Sequence, residues 1–161
     1  TATHAAQAQG YRDAYFHIRQ QRGSNATSPY YPGARKALDD LRAQDHTLLA
    51  VATGKSKRGL DKLIEGHGLE GYFVSRQTAD DHPSKPSPSM INAILSDTGV
   101  TKERSVMIGD TTFDMDMARA AGIKTIGVSW GYHPTESLQA DLLIHEFDAL
   151  YGALDRLIGF E

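Results

Sequence analysis

Apolar residues recur along most of the chain in two alternating patterns, as short continuous runs and as runs spaced by three or four residues. The continuous runs predict buried strands over residues 47–53, 72–75, 105–109, 124–129 and 142–145. The spaced runs predict helices over residues 3–22, 33–43, 57–65, 89–98 and 113–121, and from about 147 onward. Because strands and helices alternate, we expect an α/β fold with right-handed crossovers and a parallel sheet.

Polar residues suited to one site follow the ends of these predicted strands. Thr53 and Gly54 come directly after one strand, Asp110 ends another, and Lys85 lies in the loop between them. Asp114 follows Asp110 by about one helical turn. Ligands of an open parallel sheet gather at the carboxyl ends of its strands. We therefore predict a site for phosphate and Mg²⁺ at this edge of the sheet. Its ligands would be the Thr53 hydroxyl, the backbone N–H groups that Gly54 leaves accessible, the Lys85 ammonium and the two carboxylates.

Composition sets milder limits. The chain has 161 residues, enough for one well-cored domain, and its net charge of −3 without a basic tract gives no reason to expect nucleic acid or an anionic membrane as partner. It has no cysteine, and its seven histidines show no zinc-ligand spacing. With no spanning-length apolar run and no signal pattern, a cytoplasmic location is expected. Residue 1 is Thr, so the gene product is expected to begin upstream.

Three short motifs carry a resemblance. Thr53-Gly54, Lys85-Pro86 and Gly109-Asp110 with Asp114 resemble motifs two, three and four of the haloacid dehalogenase superfamily, in order, over roughly residues 29–161. The stretches at 31–33 and 127–132 resemble its phosphoglycolate-phosphatase-like branch.

That resemblance implies a three-layer Rossmann-like core over residues 29–161, with residues 1–28 the remnant of a helical cap. It implies that Thr53 hydrogen-bonds the transferring phosphoryl group, aided by Gly54, and that Lys85 neutralises its charge. Asp110 and Asp114 would hold Mg²⁺, and a small phosphorylated metabolite similar to phosphoglycolate would be the substrate. A carboxylate pair for a cation favours a phosphatase over a dehalogenase, since halide release needs no cation. The oligomeric state is not predicted.

One family element is missing from the sequence. The nucleophile of the family is the first Asp of an Asp-x-Asp-Gly-Thr/Val stretch on the central strand, and the only Asp-x-Asp here is 114–116, on a predicted helix. Two buried strands without their shared neighbour would leave unpaired N–H and C=O groups. The chain is therefore expected to be a piece of a protein, one of two chains, or a non-catalytic relative. Alone it is expected to be inactive.

Other interpretations remain. Thr111 and Asp114 fit a helix capping box, so Asp114 could act only at a helix start. A catalytically inactive binding module on the same fold is an alternative to the phosphatase. A serine hydrolase is a weaker one: Gly127–Gly131 matches a nucleophile elbow around Ser129, but residues Asp141 and His145 would lie about 13 Å apart along a strand.

Overall fold

The protein is described here by a computed structural model that covers residues 12–16, 33–84, 86–130 and 134–159; of residues 12–16 it gives the strand and its pairing. The strands are β1 Arg12–Phe16, β2 Thr47–Ala52, β3 Ser75–Gln77, β4 Ser105–Gly109, β5 Lys124–Val128 and β6 Leu142–Ile144. The helices are α1 Ala34–Arg42, α2 Lys57–His67, α3 Ser89–Thr98, α4 Thr112–Ala121, α5 Thr135–Leu138 and α6 Leu150–Ile158, with 3₁₀ turns at Lys102–Arg104 and Phe147–Ala149.

The six strands of the described residues form one sheet in the order β3-β2-β1-β4-β5-β6, and every neighbouring pair is parallel. The α/β fold with a parallel sheet is confirmed. Every residue of β2 and of β4 is buried, as expected for strands covered on both faces.

Helices cover both faces of the sheet, which gives three layers. On one face, Leu49, Val51 and other branched residues of the strands pack against α1, α2 and α6. On the other, Ala50, Ala52 and Met107 pack against α3 and α4. The alternation follows from the two-residue period of a strand, which sends successive side chains to opposite faces. None of the described helices is both long enough and apolar enough to cross a bilayer.

The amino-terminal segment differs from the expectation. The helix predicted over residues 3–22 is wrong for Arg12–Phe16, which form β1 between β2 and β4. The physical reason is the cost of leaving the facing edges of two buried strands unpaired, which outweighs the helical spacing of Tyr11, Tyr15 and Ile18. The central position therefore has a strand from this chain, although the family motif is absent. The other residues of 1–28 lie outside the described residues, and their assignment to a cap stays a prediction.

The first edge strand is shifted along the chain. A strand was expected over 72–75, whereas β3 begins at Ser75. Tyr72 and Phe73 are buried in the core instead, and the Tyr72 hydroxyl contacts Arg35 and Asp39 of α1. These aromatic rings fill the space beside α1, so regular pairing begins only after them.

Candidate active site

Thr53 and Asp110 lie at the same height on the carboxyl edge of the sheet. Phe16 of β1 is paired with Val51 on one side and with Ile108 on the other, and each site residue follows its partner by two positions. Because neighbouring strands are about 4.8 Å apart, the backbones at these two residues are about 10 Å apart across β1. Both side chains are buried, with 1% of Thr53 and 4% of Asp110 exposed. The structure therefore brings these two predicted residues together.

The loop after β2 is shaped by Thr53. Its backbone N–H donates to the Gln77 carbonyl (3.0 Å), and its Oγ1 accepts the Lys55 N–H (3.2 Å). With one oxygen lone pair used in this way, the hydroxyl proton of Thr53 can be donated to a ligand oxygen. A Cβ on Gly54 would meet no described atom within 4 Å, so space is open beside this loop. Burial lowers the pKa of the half-buried Lys55 ammonium.

Asp114 caps the helix that follows β4. It is fully buried, and its Oδ2 accepts the backbone N–H of Asp110 (3.3 Å), the N–H of Thr111 (3.2 Å) and the Thr111 hydroxyl (2.9 Å). Thr111 Oγ1 in turn accepts the Asp114 N–H (3.1 Å), which completes a capping box. The capping interpretation is therefore correct for this residue. A role of Asp114 beside a metal ion stays a prediction, since a cap and a metal ligand are compatible.

Gly109 permits this close packing. A Cβ built on Gly109 would lie 2.6 Å from Cβ and 2.7 Å from Oδ2 of Asp114, far inside van der Waals contact. The last residue of β4 therefore has to be glycine for the acid pair to take this arrangement. Sequence reasoning noted the Gly-Asp pair but missed this role. Its signal is a glycine at the end of a strand, immediately before an acid.

The donor set fits a hard cation at Asp110. A buried ionised carboxylate is costly unless a positive charge or hydrogen bonds compensate it, and oxygen ligands suit Mg²⁺. Among the described residues no group of three or more His, Cys, Asp or Glu could hold a metal. Two neighbouring carboxylates suit an ion that keeps several waters and shares its ligands with a phosphate. Asp110 would bind such an ion, with Asp114 adding negative charge beside it.

Lys85 lies outside the described residues, so its predicted contact with phosphate stays a prediction. The loop in which it stands is tied to the Thr53 loop by two hydrogen bonds. The Ala79 N–H donates to the Lys55 carbonyl (3.0 Å), and the Lys57 N–H donates to the Asp80 carboxylate (2.9 Å). His82 lies in the same loop, and sequence reasoning did not single it out because no spacing distinguishes it.

The serine-hydrolase arrangement is not assembled. The Asp141 carboxylate accepts the N–H (2.9 Å) and hydroxyl (3.2 Å) of Thr125, near the amino end of β5. Ser129 follows the carboxyl end of the same strand, about 13 Å away. Ser129 and Trp130 form a turn, and the next helix among the described residues, α5, begins only at Thr135, whereas an elbow requires a helix immediately after the serine.

No acid of β1 reaches the site edge. Its single acid, Asp13, is paired with Leu48 and with Ser105, the first residue of β4, at the opposite end of the sheet from Asp110. The next acid along the chain is Asp39 in α1. The central strand of this structure therefore supplies no carboxylate between Thr53 and Asp110.

Comparisons with known proteins agree with this architecture. The chain is 37% identical over 146 residues to "Probable phosphatase IndB" of Dickeya dadantii, covering 88% of this chain and 63% of that protein. It is 30% identical over 152 residues to a phosphoglycolate phosphatase of Aliivibrio fischeri, covering 92% of this chain and 65% of that protein. A crystal structure described as a predicted phosphoglycolate phosphatase from Haemophilus somnus superposes with a TM-score of 0.73 at 24% identity, over 78% of this chain and 57% of that one.

This chain spans less than two thirds of the length of these curated relatives. The family model described as haloacid dehalogenase-like hydrolase matches residues 2–128, so the likeness begins earlier than the motifs indicated. The relatives named phosphoglycolate phosphatase confirm the branch to which those motifs pointed. The motifs, the parallel sheet and the family match lead to one conclusion: this chain belongs to the haloacid dehalogenase-like hydrolase family.

Proposed function

We propose that this chain is the core of a Mg²⁺-dependent phosphatase that hydrolyses a small phosphomonoester. The observation that carries the proposal is the position of Thr53 and Asp110, both buried and at one height on the carboxyl edge, about 10 Å apart. A phosphoryl group fits between a hydroxyl donor on one side and a carboxylate-held cation on the other. The comparisons support the same class, since the relatives are named as phosphatases.

Each residue of the site has a distinct part in the proposal. Thr53 donates its hydroxyl proton to a phosphoryl oxygen, and the open backbone at Gly54 lets that oxygen approach. Lys85 provides a positive charge that balances the phosphate and the attacking carboxylate. Asp110 holds the cation with Asp114 beside it, and bound Mg²⁺ would neutralise charge on the phosphoryl oxygens.

The nucleophile is proposed to come from outside these 161 residues. A carboxylate oxygen attacks phosphorus, the bond to the substrate alcohol breaks, and water later cleaves the aspartyl-phosphate to give phosphate and the free acid. The segment carrying this Asp would take the central position that Arg12–Phe16 hold in this structure. The charged Arg12 and Asp13 support this, because a central strand of a parallel sheet is normally apolar throughout. The chain alone is then inactive.

A phosphoglycolate-like phosphomonoester is the proposed substrate, because the relative from Aliivibrio fischeri is named for phosphoglycolate. When the nucleophile segment takes the central position in place of Arg12–Phe16, residues 1–28 are proposed to belong to the cap that selects this substrate. We propose two binding partners, this small metabolite and the cation. The cytoplasmic location stays a prediction.

Binding of Mg²⁺ and inorganic phosphate to the 161-residue chain tests the site without requiring turnover. By isothermal titration calorimetry, Asp110→Asn should weaken Mg²⁺ binding at least tenfold, because it removes the charged ligand. Asp116→Asn is the matched control, since Asp116 is exposed on the following helix α4 and paired with Arg119. Equal Mg²⁺ affinity for the two variants would contradict the proposal.

A catalytically inactive binding module is the second candidate, favoured by the position of Asp13 at the far end of the sheet. The two functions separate when a segment carrying the family's Asp-x-Asp-Gly-Thr/Val stretch is joined to this chain and p-nitrophenyl phosphate is supplied with Mg²⁺. Turnover that Asp110→Asn abolishes supports the phosphatase. Phosphate binding without turnover supports the module.

A further inference from the structure

A hydrogen-bonded relay crosses the base of the loop between β3 and α3. Nε2 of His82 lies 2.7 Å from Oε1 of Gln77, the last residue of β3. Nδ1 of the same ring lies 2.6 Å from the hydroxyl of Ser89, the first residue of α3. One side chain therefore joins the strand before the loop to the helix after it.

Asp97 fixes the direction of this relay. Its Oδ2 accepts the Ser75 hydroxyl (2.8 Å) and the amide nitrogen of Gln77 (3.0 Å). An ionised carboxylate only accepts, so the amide NH₂ of Gln77 faces Asp97 and its oxygen faces His82. Nε2 of His82 must then carry a hydrogen, and in the neutral ring Nδ1 accepts the Ser89 hydroxyl. Each hydrogen bond of this relay therefore has one donor and one acceptor. The bonds run from Asp97 of α3 to Gln77 of β3, then to His82, and from His82 to Ser89 of α3.

Further hydrogen bonds hold the same loop on both sides of position 85. Before it, the Ala79 N–H binds the Lys55 carbonyl of the Thr53 loop. After it, the Ser87 N–H donates to the Ser84 carbonyl (3.1 Å), and the Ser87 hydroxyl accepts the Ser89 N–H (3.3 Å). His82 connects these two parts, because it lies between them in the chain and binds Ser89 directly.

We propose that His82 is a positioning residue for Lys85, acting through the backbone of this loop and not by contact with substrate. The inference rests on the proposed function, in which Lys85 binds phosphate. A long lysine side chain loses conformational entropy when it binds, and holding the described residues on either side of it in place would lower that cost. Loss of the two His82 hydrogen bonds would leave the fold intact and reduce the contribution of Lys85 to phosphate binding.

A double-mutant cycle on the 161-residue chain tests this. The dissociation constant for inorganic phosphate is measured by ³¹P NMR at saturating Mg²⁺ for the wild type, His82→Ala, Lys85→Ala and the double variant. We expect His82→Ala to weaken binding about fivefold, the size of one or two hydrogen bonds. In the Lys85→Ala background the same change should have no further effect, because the residue through which His82 acts is gone.

Three further variants complete the test. His82→Gln keeps an N–H that can reach Gln77 and should recover part of the affinity, whereas Ser89→Ala removes one partner and should cause a smaller loss. His46→Ala, before β2 at the opposite end of the sheet, should leave binding unchanged.

Two outcomes would contradict the inference, and they are distinguishable. If Lys85→Ala leaves phosphate affinity unchanged, the proposed role of Lys85 fails and the inference fails with it. If Lys85→Ala weakens binding but His82→Ala has either no effect or the same effect in both backgrounds, only the positioning role of His82 is overturned.

Discussion

Strands β1 and β4 lie side by side at the centre of the sheet, yet they reach that position for different reasons. All five residues of β4 are buried, and its sequence Ser-Val-Met-Ile-Gly alone predicts a buried strand. The sequence Arg-Asp-Ala-Tyr-Phe of β1 contains two charged residues and predicts none. The strand β4 forms because of its own side chains. The strand β1 is held in place by the backbone groups of β2 and β4, which would otherwise lack partners.

The difference also separates the chemistry of the two strands. The carboxyl end of β4 leads into Gly109, Asp110 and a capped helix, so it presents an acid in a fixed position. The only acid of β1 lies at its other end. A strand can therefore complete the hydrogen bonding of a parallel sheet and still supply no carboxylate at the carboxyl edge of that sheet.

The largest expected effect tests whether β1 holds the centre. Ala14 is paired with Leu49 on one side and Val106 on the other. Ala14→Pro removes a backbone donor from a strand with two neighbours and should lower the free energy of unfolding by about 4 kcal/mol. Urea denaturation of Ala14→Pro beside Ala14→Gly, which keeps the N–H, measures this. A loss no larger than that of the glycine variant would show that residues 12–16 are not paired in the sheet.

The next effect tests the fixed end of β4. Gly109→Ala places a methyl group against Asp114, which cannot move without breaking the capping box. We expect a loss of about 3 kcal/mol in unfolding free energy and weaker Mg²⁺ binding. Gly54→Ala is the control, because its added methyl meets no described atom within 4 Å and should change stability by less than about 0.5 kcal/mol. Similar losses for the two variants would refute the packing argument.

A smaller effect tests the cap itself. Thr111→Val removes the hydroxyl that both donates to and accepts from Asp114. The unfolding free energy should fall by about 1 kcal/mol, a typical value for a lost helix cap. Thr111→Ser retains the hydroxyl and should stay close to the wild type in thermal denaturation. If both variants lose stability equally, the hydroxyl is not what stabilises the start of α4.

The smallest expected effect comes from a substitution that makes β1 as apolar as β4 at one position. Asp13→Val introduces a β-branched residue in a central parallel strand and should raise the unfolding free energy by about 0.5 kcal/mol. Asp45→Val, in the exposed turn before β2, should give no such gain. Chemical denaturation of both variants measures the difference. A loss at Asp13 would mean that its charge is needed where it lies.

Most elements of the fold could be predicted because their patterns are local. The continuous run of β2 and the spaced apolar residues of α3 and α4 are visible in the sequence, and the observed bounds agree within one or two residues. The start of β3 could not be predicted, because the burial of Tyr72 and Phe73 depends on α1, which is distant in the chain.

For the site, sequence supplied the residue types at the strand ends, and the order of the strands brought Thr53 and Asp110 to one edge. The steric need for Gly109 and the bridge made by His82 came only from side chains packed across different elements.

The sequence by itself determined the α/β class, the parallel sheet and the acids and hydroxyl at its carboxyl edge, because each follows from side chains close together along the chain. Tertiary structure alone decided that residues 12–16 form the central strand and that only glycine fits at position 109 beside Asp114. Those outcomes depend on the hydrogen-bond partners and the free volume that other elements provide, and a local sequence pattern predicts neither of them.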